Sequence, residues 1–253
     1  ELSNVTVKCS VGMATSQVAT SDPNHESFTY VSSFFSHSER QLGDKGLAFH
    51  LPGNYGQDHW NLIRGFGHAP NVAFIKVAPM DKHGFFNLGP SASYERATID
   101  RCEIVVVEVN TNVPRCLGGN HEQLHVSEVD YIVESSNEPM TALPIVPPRA
   151  EDEAIANLLV GEIEDGSCLQ LGIGGIPNAV GKILADADIK DLGCHSEMIP
   201  DAYVDLYEKG KMSGAQKQID RYKMVYTFAM GSQKLYDFLD DNPACAAYPV
   251  GYT

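Results

Sequence analysis

Apolar residues in this chain come in short bursts separated by turn formers, and the bursts follow two different periods. Val5, Val7, Cys9 and Val11 fall on every second position, the spacing of a half-buried strand. Val72 to Val77 reads as a buried strand. Glu103 to Val109 is the clearest strand of all, and its nearly unbroken apolar character predicts burial on both faces, as in a parallel sheet. Between these two strands, Met80-Asp81-Lys82-His83-Gly84 reads as a turn and Ser93 to Asp100 as a helix. From Ser21 to Gly67 the chain is polar and aromatic, and only short elements are expected, one of them near Leu47 to Leu51.

Three prolines in the six residues Leu143 to Pro148 resist both helix and sheet and mark the best linker candidate. Beyond it, Ile155, Leu158, Leu159 and Ile163 recur at helical spacing, with Gly166 as the stop. Strands are then expected at Cys168 to Leu171, Asp191 to Cys194 and Met224 to Phe228. Helices are expected at Pro177 to Ala187, Tyr203 to Lys209 and Ser232 to Leu239. Alternating strands and helices on both sides of the linker predict an α/β fold: an open, mainly parallel sheet with flanking helices.

Composition narrows the function classes. The 253 residues are 43% hydrophobic and 20% charged, as in ordinary globular proteins. A net charge of −15 with no basic stripe excludes a nucleic-acid binder. No apolar run approaches 18 residues, so no membrane span is expected. The six cysteines are scattered and form no C-x-x-C pair, which argues against a zinc ribbon and fits a reducing cytoplasm. The chain opens in a strand-like run and stops without a closing helix or polar tail, so a piece of a larger protein is expected.

Chemistry concentrates in Gln170-Leu171-Gly172-Ile173-Gly174-Gly175-Ile176-Pro177 and, further on, Glu197. Glycines let a backbone approach a ligand, and the free N–H groups of the helix behind them favour an anion or a developing oxyanion. A tight strand-to-helix turn explains the same glycines equally well. The dinucleotide fingerprint fails, because Pro177 stands where the third glycine belongs. Glu197 lies just past a strand, where sites form in open α/β sheets. There it can be a nucleophile, a general base or a helix cap. His195, Glu197 and Asp201 have no spacing that compels a metal site, and none is assigned.

Several ordered motifs together resemble the acetyl-CoA hydrolase/transferase family, most closely its 4-hydroxybutyrate and butyrate:acetate CoA-transferases. They are Ala78 to Phe85, Glu108-Val109-Asn110, Pro114 to Gly118, His125 to Val133, Gln170 to Val180, Leu192 to Met198, Thr227 to Gly231 and Leu235 to Pro243. The resemblance covers about Val72 to the end. It implies that residues 1–253 are the first of two CoA-transferase-type domains, without the family's leading helix and strand and without its second half, which carries a Gly-Gly-Gln motif.

By the same resemblance Glu197 is the catalytic nucleophile, and Gln170, Gly172, Gly174 and Gly175 line the substrate site. The reaction implied is a ping-pong exchange of CoA between acyl-CoA and a short-chain carboxylate. CoA is then a substrate, no separate cofactor is needed, and a homodimer is expected. A hydrolase of the same family and a non-catalytic ligand-binding protein on this scaffold remain the alternatives.

Overall fold

The computed structural model describes residues 2–65, 70–144 and 147–253. They form two compact units, Glu1–Gln57 and Asp58–Thr253. The linker candidate includes residues 145 and 146, which lie outside the described residues.

The first unit contains β1 (Val5–Val11), α1 (Gln17–Ser21), β2 (Phe28–Phe34), α2 (His37–Gly43) and β3 (Phe49–His50). Its strands are parallel in the order β1-β2-β3, over a small core of Ala19, Tyr30, Leu42 and Ala48. Glu39 caps α2 through the Ser36 N–H at 3.1 Å and accepts the buried Tyr30 hydroxyl at 3.2 Å. The helix α3 (Tyr55–Ile63) carries the chain across the boundary between the units.

The second unit opens with β4 (Val72–Val77), β5 (Phe85–Asn87), α4 (Glu95–Ile99), β6 (Ile104–Val109), β7 (Gln123–His125) and β8 (Tyr131–Glu134). The order β4-β6-β8 is parallel, and β5–β7 is the one antiparallel ladder among the described residues. The expectation that β6 is buried on both faces is not met. Val105 and Val107 are buried, but the opposite face of the sheet is open: Phe74 is 79% exposed, and Ile104 and Tyr131 on the same face are exposed too. An apolar run thus marks a strand, while only its neighbours decide how many faces are covered.

The rest of the unit comprises α5 (Ala150–Val160), β9 (Cys168–Leu169), α6 (Gly175–Asp186), β10 (Gly193–Cys194), β11 (Met198–Ile199), α7 (Asp201–Glu208), β12 (Met224–Tyr226), β13 (Phe228–Ala229), α8 (Gln233–Leu239) and β14 (Cys245–Ala247). The pairs β9–β10, β12–β14 and β11–β13 are parallel. A parallel bridge between His195 and Val225 joins β10 to β12, and another joins Ala247 to Gly118. The strands β9, β10, β12 and β14 therefore run in chain order, with one helix between each successive pair, and Gly118 from far upstream closes the row beside β14.

Leu184, Leu192, Ile199, Tyr203, Leu206, Leu235 and Leu239 fill the core beside these strands and are fully buried. Each buried aliphatic side chain contributes about 1.5–3 kcal/mol relative to exposure. The helical apolar spacing of α5 has a different outcome: Asp152 and Ala156 face inward, while Ile155, Leu158 and Leu159 stay exposed. No helix among the described residues is long and apolar enough to cross a membrane.

Candidate active site

The parallel strands end together, and the candidate residues stand at those ends. The ladder pairs Cys194 with Leu169, and the His195 N–H continues it to the Leu169 carbonyl at 3.2 Å. Gln170, exposed, is the first residue after β9. Glu197 lies between β10 and β11 in a short extended stretch whose backbone is fixed on every side. The Ser196 N–H donates to the Val225 carbonyl at 3.0 Å, and the Ser196 hydroxyl donates to the Met198 carbonyl at 2.6 Å. The Glu197 carbonyl accepts from Thr227 N at 3.0 Å and Phe228 N at 3.2 Å.

Extended backbone turns successive side chains to opposite sides. Ser196 and Met198 are buried, so Glu197 between them is thrust outward. Among the described residues its carboxylate has no hydrogen-bond or ion-pair partner. The result is a rigidly mounted carboxylate with free oxygens at the carboxyl edge of a parallel sheet.

The glycine loop leads from β9 into α6. Gly174 has φ +125° and ψ 178°, a conformation that only glycine adopts comfortably. Gly175 is the first residue of α6, and the Asp152 carboxylate occupies the space a side chain would need, 2.2 Å from an ideal Cβ. Helix α6 therefore begins two residues before the expected Pro177, which sits in its first turn, where no N–H is needed.

Gly172 differs from both. Its φ lies outside the left-handed region, and no atom comes within 4 Å of an ideal Cβ. Gly46 and Gly210 have equally open surroundings, but both take a positive φ that suits glycine. The fold does not require glycine at position 172, so its missing side chain simply leaves room beside the strand end. The amides that open α6, just beyond in the chain, are donors of the kind that favour negative charge.

Neighbouring polar residues are already engaged. Asp201 does not face Glu197 as a metal partner would; its carboxylate accepts from the Ser232 N–H at 2.9 Å and the Ser232 hydroxyl at 2.5 Å, capping α8. A His195 ring nitrogen lies 3.2 Å from the Tyr252 carbonyl, and the Tyr252 hydroxyl donates to Asp220 at 2.7 Å. Burial pushes the Cys194 thiol up to about 12, so it stays protonated and does not compete as a nucleophile.

The segment around Ser91 was not singled out by the sequence. It pairs antiparallel with Phe228, and the Ala92 N–H donates to Thr227 at 3.0 Å, buttressing the strand that holds Glu197. A proline-and-serine stretch reads as loop, and its pairing partner lies well over a hundred residues away, so only tertiary structure reveals this role.

Residues 1–147 match the model of the acetyl-CoA hydrolase/transferase N-terminal domain. The chain belongs to the acetyl-CoA hydrolase/transferase family. Within that family it is 44% identical to a butyryl-CoA:acetate CoA-transferase of Anaerostipes caccae, over 100% of this chain and 57% of that protein. Among solved structures it is similar to RipA from Yersinia pestis, with a TM-score of 0.83 at 34% identity, covering 90% of this chain and 53% of the other. It is also similar to a 4-hydroxybutyrate CoA-transferase from Porphyromonas gingivalis, with a TM-score of 0.77 at 30% identity, covering 89% and 57%. The chain thus spans little more than half the length of these family relatives.

Proposed function

We propose that the protein containing this chain is a CoA-transferase that moves CoA between short-chain carboxylates such as butyrate, acetate and 4-hydroxybutyrate. The observation that carries the reading is Glu197, an exposed carboxylate with fixed backbone and free oxygens at the carboxyl end of the parallel strands, the same end at which β9 runs into the glycine loop. A Glu197 oxygen attacks the acyl-CoA carbonyl, the C–S bond breaks, and a mixed anhydride and CoA thiolate form. The thiolate attacks the glutamyl carbonyl, releasing the carboxylic acid as its anion and leaving a glutamyl-CoA thioester. An incoming carboxylate reverses both steps and leaves with CoA.

Each attack places negative charge on a carbonyl oxygen, and the amides opening α6 are the donors available to it. Gln170 and the glycines Gly172, Gly174 and Gly175 line the acyl side. Carboxylate and thioester exchange at little net free-energy change, so the scheme needs no resident cofactor or metal. The unpaired cysteines support a reducing cytoplasm, and the family resemblance supports a homodimer, to be checked by sedimentation of the full chain.

Intact-mass measurement of the full chain with acetyl-CoA is the test. A CoA adduct is expected that maps to Glu197 and is lost in Glu197→Gln. A folded full chain with no adduct at Glu197 overturns the nucleophile assignment. Transferase rather than hydrolase activity requires that added butyrate or acetate accelerate acyl-CoA loss and yield a new acyl-CoA.

A further inference from the structure

Tyr203 lies on α7, away from the glycine loop in sequence, and is fully buried. Its hydroxyl donates to the Leu169 carbonyl at 2.9 Å and accepts from the Leu171 N–H at 2.9 Å. These two groups flank Gln170. At this point β9 leaves its ladder: the Leu169 carbonyl still accepts the His195 N–H, but the Leu171 N–H has the Tyr203 hydroxyl as its partner in place of a neighbouring strand. One side-chain oxygen stands in for a neighbouring strand, so the chain can end the sheet and turn at once into Gly172. Tyr203 is held in turn by the core of Leu184, Leu192 and Leu206, which leaves the hydroxyl little freedom.

We propose that Tyr203 is a positioning residue for the acyl site: it sets the backbone of Gln170 and the entry into the glycine loop relative to Glu197. This rests on the proposed CoA transfer for its kinetic consequence, but its structural half stands alone. The hydroxyl touches no reacting atom. Its removal shifts groups that must meet the developing oxyanion, and a displacement of about 1 Å can cost on the order of 100-fold in rate.

The test is Tyr203→Phe in the full chain, compared with Tyr236→Phe. Tyr236 is also buried, and its hydroxyl also donates to a backbone carbonyl, Thr141, at 2.8 Å, but on α8. For Tyr203→Phe, kcat for CoA transfer is expected to fall by roughly 10–100-fold, with KM for acyl-CoA within about threefold. Tyr236→Phe should keep wild-type kcat.

In a Gln170→Ala background Tyr203→Phe should have a smaller effect, because the part that acts through the Gln170 side chain is already lost. Hydrogen exchange should show the Leu171 amide losing protection while the Val225 amide keeps it. Placing 4-aminophenylalanine at position 203 restores a donor and an acceptor and should restore kcat, which keeps the test decisive should Tyr203→Phe fold poorly.

Unchanged kcat in folded Tyr203→Phe, an equal loss in Tyr236→Phe, or a Leu171 amide that stays protected overturns the proposal. A wild-type chain without a CoA adduct at Glu197 would defeat the proposed transfer instead, and the exchange experiment would still decide whether Tyr203 fixes the strand end.

Discussion

At the scale of single residues, the two loop glycines separate backbone need from ligand room. Gly174→Ala forces a side chain into a conformation reserved for glycine and is expected to destabilise by about 1–3 kcal/mol. Gly172→Ala meets empty space and should leave the melting temperature near wild type while weakening acyl-CoA turnover. Thermal melts and kinetics on the same two variants check both halves. Glu95 offers a pH prediction. Burial raises its carboxyl above the usual range, although Ser91 donates to it at 2.5 Å and Tyr94 N at 3.0 Å. The folded state therefore holds the proton more tightly than the unfolded state. The resulting stability is fully present below about pH 4.5 and is lost as pH rises through the folded value. Glu95→Gln should equal wild type near pH 4, exceed it in stability at pH 8 and flatten the curve between, as read from denaturant midpoints.

At the scale of elements, helix starts tie one segment to another. Asp201, in the first turn of α7, supplies the cap for α8. Asp201→Ala should destabilise by about 1–2 kcal/mol, seen as a lower urea midpoint. Asp201→Asn, which keeps an acceptor, should recover part of the loss. Elements with a single period were legible in the sequence: β1, β4, β6, α5 and α6 all lie where apolar spacing puts them. The strand β2 was not read, because its inward positions are Tyr30 and Ser32, and a buried serine breaks the alternation. The helix α2 did carry a signal: Ser36 followed three residues later by Glu39 is a capping box. At the site, Gln170, the glycines and Glu197 were legible as motif members. Tyr203 and the Ser91 segment were not, because their partners are distant in sequence and identified only by contact.

At the scale of the whole molecule, the second unit combines local and distant pairing in one sheet. The strands β9, β10, β12 and β14 are neighbours in space in the order the chain makes them, with one helix between each pair. Only the last place in the row is filled from afar, by Gly118 beside Ala247, with Cys116 bridging Asp240 and the Arg115 N–H donating to Asp240 at 2.7 Å. Closing that long loop carries an entropy cost that adjacent strands avoid. The order of assembly follows: contiguous strands zip up first, and the upstream segment snaps on afterwards like a clasp. Pulse-labelled refolding should protect the Ser196 amide, which donates to Val225, before the Ala247 and Gly119 amides, which pair across the late seam. Simultaneous protection would refute this order. Until the clasp shuts, β14 remains an open edge, so the youngest folding intermediate offers its raw strand to any other chain nearby. Slow closure, rather than weak final stability, is then what would make this protein aggregate as it folds.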